Sequence, residues 1–250
     1  MDLLKGLDMS GKGDLEISIV FPAYNEADKL ERAVTETINY VKNVSRSFEI
    51  IIAEDGSTDG TDKLAEELSR KIENVRHLHS GVRLGRGRAL NRAFSMARGK
   101  ILIYMDVDLS TDLEFLKPLI DSIRKEGFDL ATGSRMLPQS VAERSLHRKL
   151  LSKIYNFLVR ALLKSPIRDH QCGFKAFRRE SFLTLMPKVK ANHWFWDTEV
   201  LVLASRMGFK IKEIPVVWRR RSGTKVSLRR DVLDMGIQVL KLWFRLTFRE

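Results

Sequence analysis

Residues Ile101–Asp112, ILIYMDVDLSTD, decide the fold class. Ile101 to Met105 is apolar without interruption, the pattern of a central strand covered on both faces rather than of one with a wet side. The run stops abruptly at Asp106-Val107-Asp108. In an extended chain residues i and i+2 point the same way, so both carboxylates can face one hard cation at the strand's carboxyl end, where open parallel sheets collect ligands. Mg²⁺ or Mn²⁺ carrying a phosphorylated substrate suits such a place. A solvated strand-to-helix turn, with Asp112 capping a helix from Leu113, accounts for the same letters. D-x-D alone does not choose between the two.

Outward from this stretch the chain repeats a strand followed by a helix. Ile17–Phe21 is a first strand, broken by Pro22-Ala23-Tyr24-Asn25-Glu26 before a helix with Leu30, Ala33, Val34, Ile38 and Val41 at helical spacing. Phe48–Ala53 is a second strand, closed by Glu54-Asp55-Gly56-Ser57-Thr58-Asp59-Gly60 and followed by a helix over Thr61–Lys71. Val75–Leu78 is a third, followed by Gly81 to Arg88 and a helix to Ala97. After Asp112 a helix over Leu113–Glu126 turns Leu116, Leu119, Ile120 and Ile123 inward, and Phe128–Thr132 is a fifth strand ending at Gly133-Ser134-Arg135. Such alternation predicts an α/β fold, a largely parallel sheet with helices on both faces.

Loops after parallel strands converge on one cleft, which groups Asp55 and Asp59 with Asp106 and Asp108. The Gly85-Arg86-Gly87-Arg88 segment reads either as a flexible turn or, with Arg83 and Arg92, as a cradle for an anionic diphosphate.

At 250 residues, 44% hydrophobic and 30% charged, the chain can bury one large α/β core, and its composition is that of an ordered protein. A single cysteine, Cys172, excludes an internal disulfide and a multi-cysteine zinc site; it fits a reducing compartment and reads as a small buried apolar residue. Residues 1–14 are polar and read as a flexible leader without a signal peptide, and no window offers the roughly 20 apolar residues of a spanning helix. The net charge of +12 is confined: residues 135–168 carry +7, residues 217–250 carry +6, and the rest is near neutral.

Four ordered motifs, PAYNE at Pro22–Glu26, EDGSTDGT at Glu54–Thr61, the glycine pair Gly85 and Gly87, and DVD at Asp106–Asp108, resemble the family 2 glycosyltransferases. The resemblance implies a GT-A fold, a Rossmann-like, mostly parallel sheet flanked by helices. It implies nucleoside contacts from Pro22, Tyr24, Glu26 and Asp55, donor contacts from Gly85 and Arg86, and a divalent metal on Asp106 and Asp108. Further along, Gly133-Ser134-Arg135, Arg148 with Ser152, Asp169-His170-Gln171-Cys172-Gly173-Phe174-Lys175 and Gly223-Thr224-Lys225 are similar to the polyprenyl-phosphate hexose synthases, of the dolichyl-phosphate glucose and mannose kind. That similarity implies lipid-phosphate contacts from Arg135, Arg148 and Ser152, and a diphosphate contact from Arg219, Arg220 or Arg221, with Arg220 favoured. The cysteine before Gly173 leans toward glucose. Three departures stand out: Glu54 where aspartate is commoner, Arg83 in the place of an asparagine, and no transmembrane helices.

Two basic segments complete the reading. Residues 143–164 align Leu146, Leu150, Leu151, Ile154, Phe157, Leu158 and Leu162 with Arg148, Lys149, Lys153, Arg160 and Lys164 interspersed. A helix packed on its own domain explains the pattern, and the charge tilts it to an interfacial helix on an anionic membrane. Residues 228–250 repeat the design with Leu233, Met235, Ile237, Val239, Leu240, Trp243, Phe244 and Leu246 beside Lys241 and Arg245. Between them, Trp194 and Trp196 read as packing residues, and Asp197 and Glu199 as helix caps ahead of active-site residues.

The expectation is one catalytic domain over residues 15–227 with the basic insertion, then an amphipathic helix, attached peripherally to the cytoplasmic face of a membrane. It would transfer a hexose, glucose favoured over mannose, with inversion, from a UDP- or GDP-hexose to a dolichyl or polyprenyl phosphate, using Mg²⁺ or Mn²⁺. A soluble glycan or protein acceptor is the alternative. A sugar-nucleotide pyrophosphorylase lacks its glycine-rich loop here. No nucleic-acid partner is expected, since stacking aromatics are not interleaved with a basic strand face.

Overall fold

The computed structural model describes residues 15–219 and 230–248. Its elements in chain order are β1 (Ile17–Ala23), α1 (Ala27–Val41), β2 (Phe48–Asp55), α2 (Thr61–Lys71), β3 (Val75–Ser80), α3 (Arg86–Met96), β4 (Ile101–Met105), α4 (Leu116–Arg124) and β5 (Leu130–Ser134). They continue with β6 (Val141–Ala142), α5 (Leu146–Leu163), β7 (Phe174–Arg178), α6 (Arg179–Leu185), α7 (Trp196–Arg206), β8 (Ile211–Pro215), β9 (Val217–Trp218) and α8 (Arg230–Phe248).

The main sheet runs β3-β2-β1-β4-β7-β5-β8, and β6 pairs with β9 in a small separate sheet. Every pairing in the main sheet is parallel except those of β7, which is antiparallel to both β4 and β5. The five alternating units are all present, but β7 and β8 went unpredicted, and β5 lies two residues further along than Phe128–Thr132. That shift places Gly133 and Ser134 inside the strand, so Arg135 follows it directly. β1 runs through Pro22 to Ala23, opposite Ala53 and Glu54, so the proline does not end it. The helix expected from Leu113 opens as a 3-10 turn over Leu113–Phe115 and becomes α-helical at Leu116.

β4 is buried along its whole length, as its continuous apolar run requires. Its odd-numbered residues Ile101, Ile103 and Met105 join the core under α1, α2 and α4, while Leu102 and Tyr104 join the one under α3, α6 and α7.

The two basic helices pack against each other at the edge of the second core. α5 buries Ser152, Asn156, Val159 and Leu163 and exposes Leu146, Leu150, Ile154 and Phe157. The apolar stripe therefore faces outward, which overturns the simple packing explanation. α8 is apolar on both sides, burying Met235, Val239, Leu242 and Leu246 while exposing Leu233, Ile237, Leu240, Phe244 and Phe248. No described helix is long and apolar enough to cross a membrane. The leader, Arg220, Arg221, Gly223 to Lys225 and the junction at 227–228 lie outside the described residues.

Candidate active site

The loops after β1, β2 and β3 are tied together by side chains. Asn25 N–H donates to Ser57 Oγ at 3.0 Å, Thr58 N–H donates to Asn25 Oδ1 at 2.8 Å, and Glu26 N–H donates to Thr61 Oγ1 at 2.8 Å. Asp59 accepts from Ala27 N–H at 3.2 Å. Asp55 reaches the third loop: Leu84 N–H and Gly85 N–H both donate to its Oδ2 at 2.8 Å. Burial pushes the Asp55 carboxyl up, with these two donors opposing the shift. Tyr24 lies under the Arg83 guanidinium, 3.7 Å from the ring centroid. Glu26 also pairs with Lys29 at 3.0 Å. PAYNE, EDGSTDG and the glycine segment thus form one rim.

The glycine pair is not a flexible turn. Gly85 has φ +89° and Gly87 opens α3, and a Cβ on either would strike the 191–196 segment, at His193 and at Trp196 respectively. Gly87 N–H donates to Asn192 O at 2.9 Å. The four arginines around the pair separate: Arg83 stacks on Tyr24, Arg92 donates to His79 O, Arg88 is exposed, and Arg86 turns toward Asp106.

At the D-x-D end, β4 stops at Met105, so strand alternation does not align the carboxylates. They lie instead in a turn closed by Leu109 N–H donating to Asp106 O at 3.1 Å, with Leu109 at φ +50°. Asp108 Oδ1 accepts from Ser110 N–H at 2.9 Å, and Asp106 Oδ1 lies 2.6 Å from Arg86 Nη2. Burial opposes the charge on Arg86, but Asp106, Asp197 and Asp108 together outweigh it and hold the guanidinium above its ordinary value. A Cβ on Gly173 would overlap Asp106 Oδ2 and sit 2.8 Å from Arg86 Nη2, so this glycine in β7's approach keeps the space around the carboxylate open. Carboxylate oxygens beside a cradle only glycine leaves clear fit a hard dication such as Mg²⁺ or Mn²⁺. Asp106 and Asp108 are the residues that would hold it.

Behind them lies a buried network that sequence reasoning missed. Lys175 Nζ donates to Asp197 Oδ1 at 2.6 Å and to Tyr104 Oη at 3.2 Å, and Tyr104 Oη in turn donates to Asp197. Arg86 Nε is 3.7 Å from Asp197 Oδ2. Burial pushes the Asp197 carboxyl up and the Lys175 ammonium down. Asp197 is therefore no helix cap, and neither is Glu199, which accepts from Lys190 and Ala191 N–H at 2.9 and 2.6 Å and pairs with Arg245 to anchor α8. Asp112 likewise makes no cap hydrogen bond; its carboxylate pairs with Arg219. A buried lysine one strand away from D-x-D was the available signal, hidden because β7 was not recognised as a strand. Trp196 is fully buried against Tyr104, Phe177 and Phe182, the packing role expected of it. Trp194 instead faces Arg86, 5.4 Å from ring centroid to guanidinium. Cys172 is buried and unpaired, and burial pushes its thiol up.

On the far side stands a cationic group. Arg135 is held by Asp169, Nε to Oδ2 at 2.6 Å and Nη2 to Oδ1 at 2.8 Å, so much of its guanidinium is already committed. Burial disfavours both charges, yet the pair keeps Arg135 above and Asp169 below the ordinary range. Arg144, unassigned by sequence, stands beside them. Burial first, then the like charges of Arg135 and Arg148, push it down to about 10. Its Nη1 is 3.5 Å from Ser152 Oγ, and its buried Nη2 has no hydrogen-bond partner. Ser152 Oγ donates to Gln171 Oε1 at 3.2 Å. Arg135, Arg144 and Ser152 are thus linked through Asp169 and Gln171, with Arg148 one turn before Ser152 on α5, whereas Arg220 lies outside the described residues.

Residues 18–185 match the family model described as glycosyl transferase family 2. Glycosyltransferase AglD of Haloferax volcanii is 49% identical over 237 residues, 94% of this chain and 38% of AglD, so the chain spans well under half of that relative. Dolichyl-phosphate beta-glucosyltransferase of Saccharomyces cerevisiae is 32% identical over 242 residues, 89% of this chain and 72% of the yeast protein. Among solved structures, glucosyl-3-phosphoglycerate synthase from Mycobacterium tuberculosis, in complex with Mn²⁺, uridine diphosphate and phosphoglyceric acid, superposes with a TM-score of 0.68 at 21% identity, covering 92% of this chain and 78% of that one. Mannosyl-3-phosphoglycerate synthase from Rubrobacter xylanophilus gives 0.69 at 18% identity, covering 94% and 76%. At those identities the likeness concerns the fold, which is GT-A. With most of its described residues inside the family match, the chain belongs to the family 2 glycosyltransferases.

Proposed function

We propose that the protein transfers a hexose, glucose in preference to mannose, from a nucleotide diphosphate sugar to the phosphate of a dolichyl or polyprenyl phosphate, with inversion at the anomeric carbon. One observation carries the reading: the short segment 169–173 joins the two groups, with Asp169 holding Arg135, Gln171 accepting from Ser152 and Gly173 lying against Asp106 Oδ2. A site for a departing diphosphate thus borders a site for a second phosphate. The yeast relative, by name a dolichyl-phosphate beta-glucosyltransferase, supports both the acceptor and the sugar.

In this reading Pro22, Tyr24, Glu26 and Asp55 hold the nucleoside end and Arg86 steadies Asp106. A Mg²⁺ or Mn²⁺ on Asp106 and Asp108 would neutralise charge on the diphosphate. Arg144, Arg148 and Ser152 hold the acceptor phosphate, and Arg135, itself fixed by Asp169, borders both. A phosphomonoester has a second pKa of about 6, so its attacking oxygen is already anionic near neutrality and no general base is required. The chain's work is alignment and charge neutralisation.

The acceptor's lipid needs a surface, and the outward stripes of α5 and α8 supply one. Leu150, Phe157, Leu240 and Phe244 are exposed, with Lys149, Lys153 and Lys241 nearby in sequence. We read them as lying in the headgroup region of an anionic membrane, on the cytoplasmic side.

A second reading, transfer to a hydroxyl of a soluble acceptor, draws on Asp197, whose raised affinity for a proton suits a general base. Its hydrogen bonds from Lys175 and Tyr104 weigh against it. The test is incubation with a panel of UDP- and GDP-hexoses, polyprenyl phosphate and Mg²⁺ or Mn²⁺, followed by solvent extraction. A hexosyl lipid formed from UDP-glucose and abolished by chelator is expected. Transfer to water-soluble acceptors alone would overturn the proposal.

A further inference from the structure

We propose that Glu54, His77 and His79 form a binding site for one borderline transition-metal dication of the Zn²⁺ kind, distinct from Asp106 and Asp108. β3 and β4 are separated in the sheet by β2 and β1, on the order of 14 Å at the usual strand spacing.

The register builds the site. Glu54 on β2 stands opposite His79 on β3, and His77, two residues earlier, points to the same face as His79. One ligand atom from each of the three residues lies within 4.8 Å of the others. The Glu54 side chain is fully buried and that of His77 only 6% exposed. His77 Nδ1 is 3.5 Å from Glu66 Oε2 on α2. The buried Nε2 has no hydrogen-bond partner, and the tautomer with its hydrogen on Nδ1, the nitrogen nearer Glu66, leaves a lone pair there for a cation. Nε2 faces Glu54 Oε2 across 3.8 Å. Two acceptors opposed across a buried gap are costly unless a cation lies between them. His79 Nδ1 approaches the same Glu54 oxygen at 2.6 Å from a half-exposed ring, which gives solvent a way in.

Two imidazole nitrogens and one carboxylate oxygen are a donor set for Zn²⁺ rather than for Mg²⁺, and Glu66 behind His77 is the carboxylate that orients a metal-bound histidine. The cation takes the place of the hydrogen between His79 Nδ1 and Glu54, and that hydrogen moves to His79 Nε2, leaving a neutral imidazole as ligand. Glu54 Oε1 also accepts from Ser57 N–H at 2.6 Å. An ion on the other oxygen would clip β3 to β2 and hold the EDGSTDG loop, a structural role that needs no part in transfer.

The test uses tag-free protein stripped with chelator and titrated with Zn²⁺ alone by calorimetry, with bound metal counted by elemental analysis and Co²⁺ absorption as a second readout. One ion per chain is expected, undisturbed by excess Mg²⁺ and retained in the Asp106→Asn, Asp108→Asn double variant. His79→Ala, at a half-exposed position, should keep the fold by circular dichroism and weaken binding at least tenfold. Glu66→Gln should weaken it about 10–100-fold. Absence of stoichiometric Zn²⁺ in the wild type, unchanged binding in His79→Ala, or loss of binding in the double aspartate variant would each overturn the site.

Discussion

Arg86 Nη2 lies 2.6 Å from Asp106 Oδ1, so one of the two D-x-D carboxylates is already balanced by an arginine on the neighbouring helix. The two aspartates are therefore unequal. Asp106 is bound to α3 through Arg86 and would hold the metal in the proposed reading, whereas Asp108 accepts from Ser110 N–H within its own loop. Asp108→Asn should cut transfer roughly 10²- to 10³-fold, the cost of removing one preorganised electrostatic contact, with little change in melting temperature. Asp106→Asn should lose activity and also melt earlier, because Arg86 loses its closest partner. Equal melting temperatures for the two variants would contradict this division.

Arg144 should matter to the acceptor as much as Arg148. A buried guanidinium nitrogen without a partner, beside Ser152, is set to receive an anion. Arg144→Ala should raise the KM for polyprenyl phosphate about 10–100-fold, given about 1.5–3 kcal/mol for a charge-assisted hydrogen bond, while the KM for the nucleotide sugar stays within about twofold. Steady-state kinetics with each substrate varied in turn separates the two. A parallel rise in both constants would remove Arg144 from the acceptor side.

Asp169→Asn should destabilise the protein by about 3–5 kcal/mol, since it strands the Arg135 charge, whose side chain is only 10% exposed. Adding Arg135→Gln should restore part of the loss, because an uncharged pair leaves no buried ion. Urea denaturation of the two single variants and the double variant reads the coupling, and strict additivity would mean that the pair is not coupled.

His170 is buried between Asn156 and Ser165, bonded to each at 2.8 Å, and burial lowers its pKa to about 3. An unfolded histidine titrates near 6.5, so between those values the unfolded chain binds the extra proton. Stability from this group is therefore complete above about pH 6.5 and falls with acidification by up to roughly 1.4 kcal/mol per pH unit. In His170→Gln the fall between pH 6.5 and 4 should be shallower than in the wild type, as followed by denaturation midpoints. Identical slopes would show that His170 is protonated in both states or in neither.

The fold was legible where the signal is local. The run Ile101–Met105 is the strand its composition called for, α2 spans the Thr61–Lys71 expected, and the loops bearing Asp55 and Asp59 do face the loops of β1 and β3. The site was legible in its residue types and less so in its contacts. Arg135 was expected as a phosphate ligand without the Asp169 that binds two of its nitrogens, and Asp197, expected as a cap before an active-site residue, pairs with Lys175 beside Arg86. Spacing along the chain says nothing about a partner 22 or 34 residues away.

What the sequence by itself determined is the catalogue of strands, helices and carboxylate-bearing loops, because apolar periodicity and turn chemistry act within a few residues. Only the tertiary structure decided that β7 enters antiparallel between β4 and β5, carrying Gly173 to Asp106 and Lys175 to Asp197. It also decided that the apolar stripe of α5 faces outward. Periodicity defines a stripe but not its direction, and strand order depends on which long-range pairing buries the whole sheet best. Those choices put Asp106 and the Arg135–Asp169 pair at the two ends of the short segment 169–173.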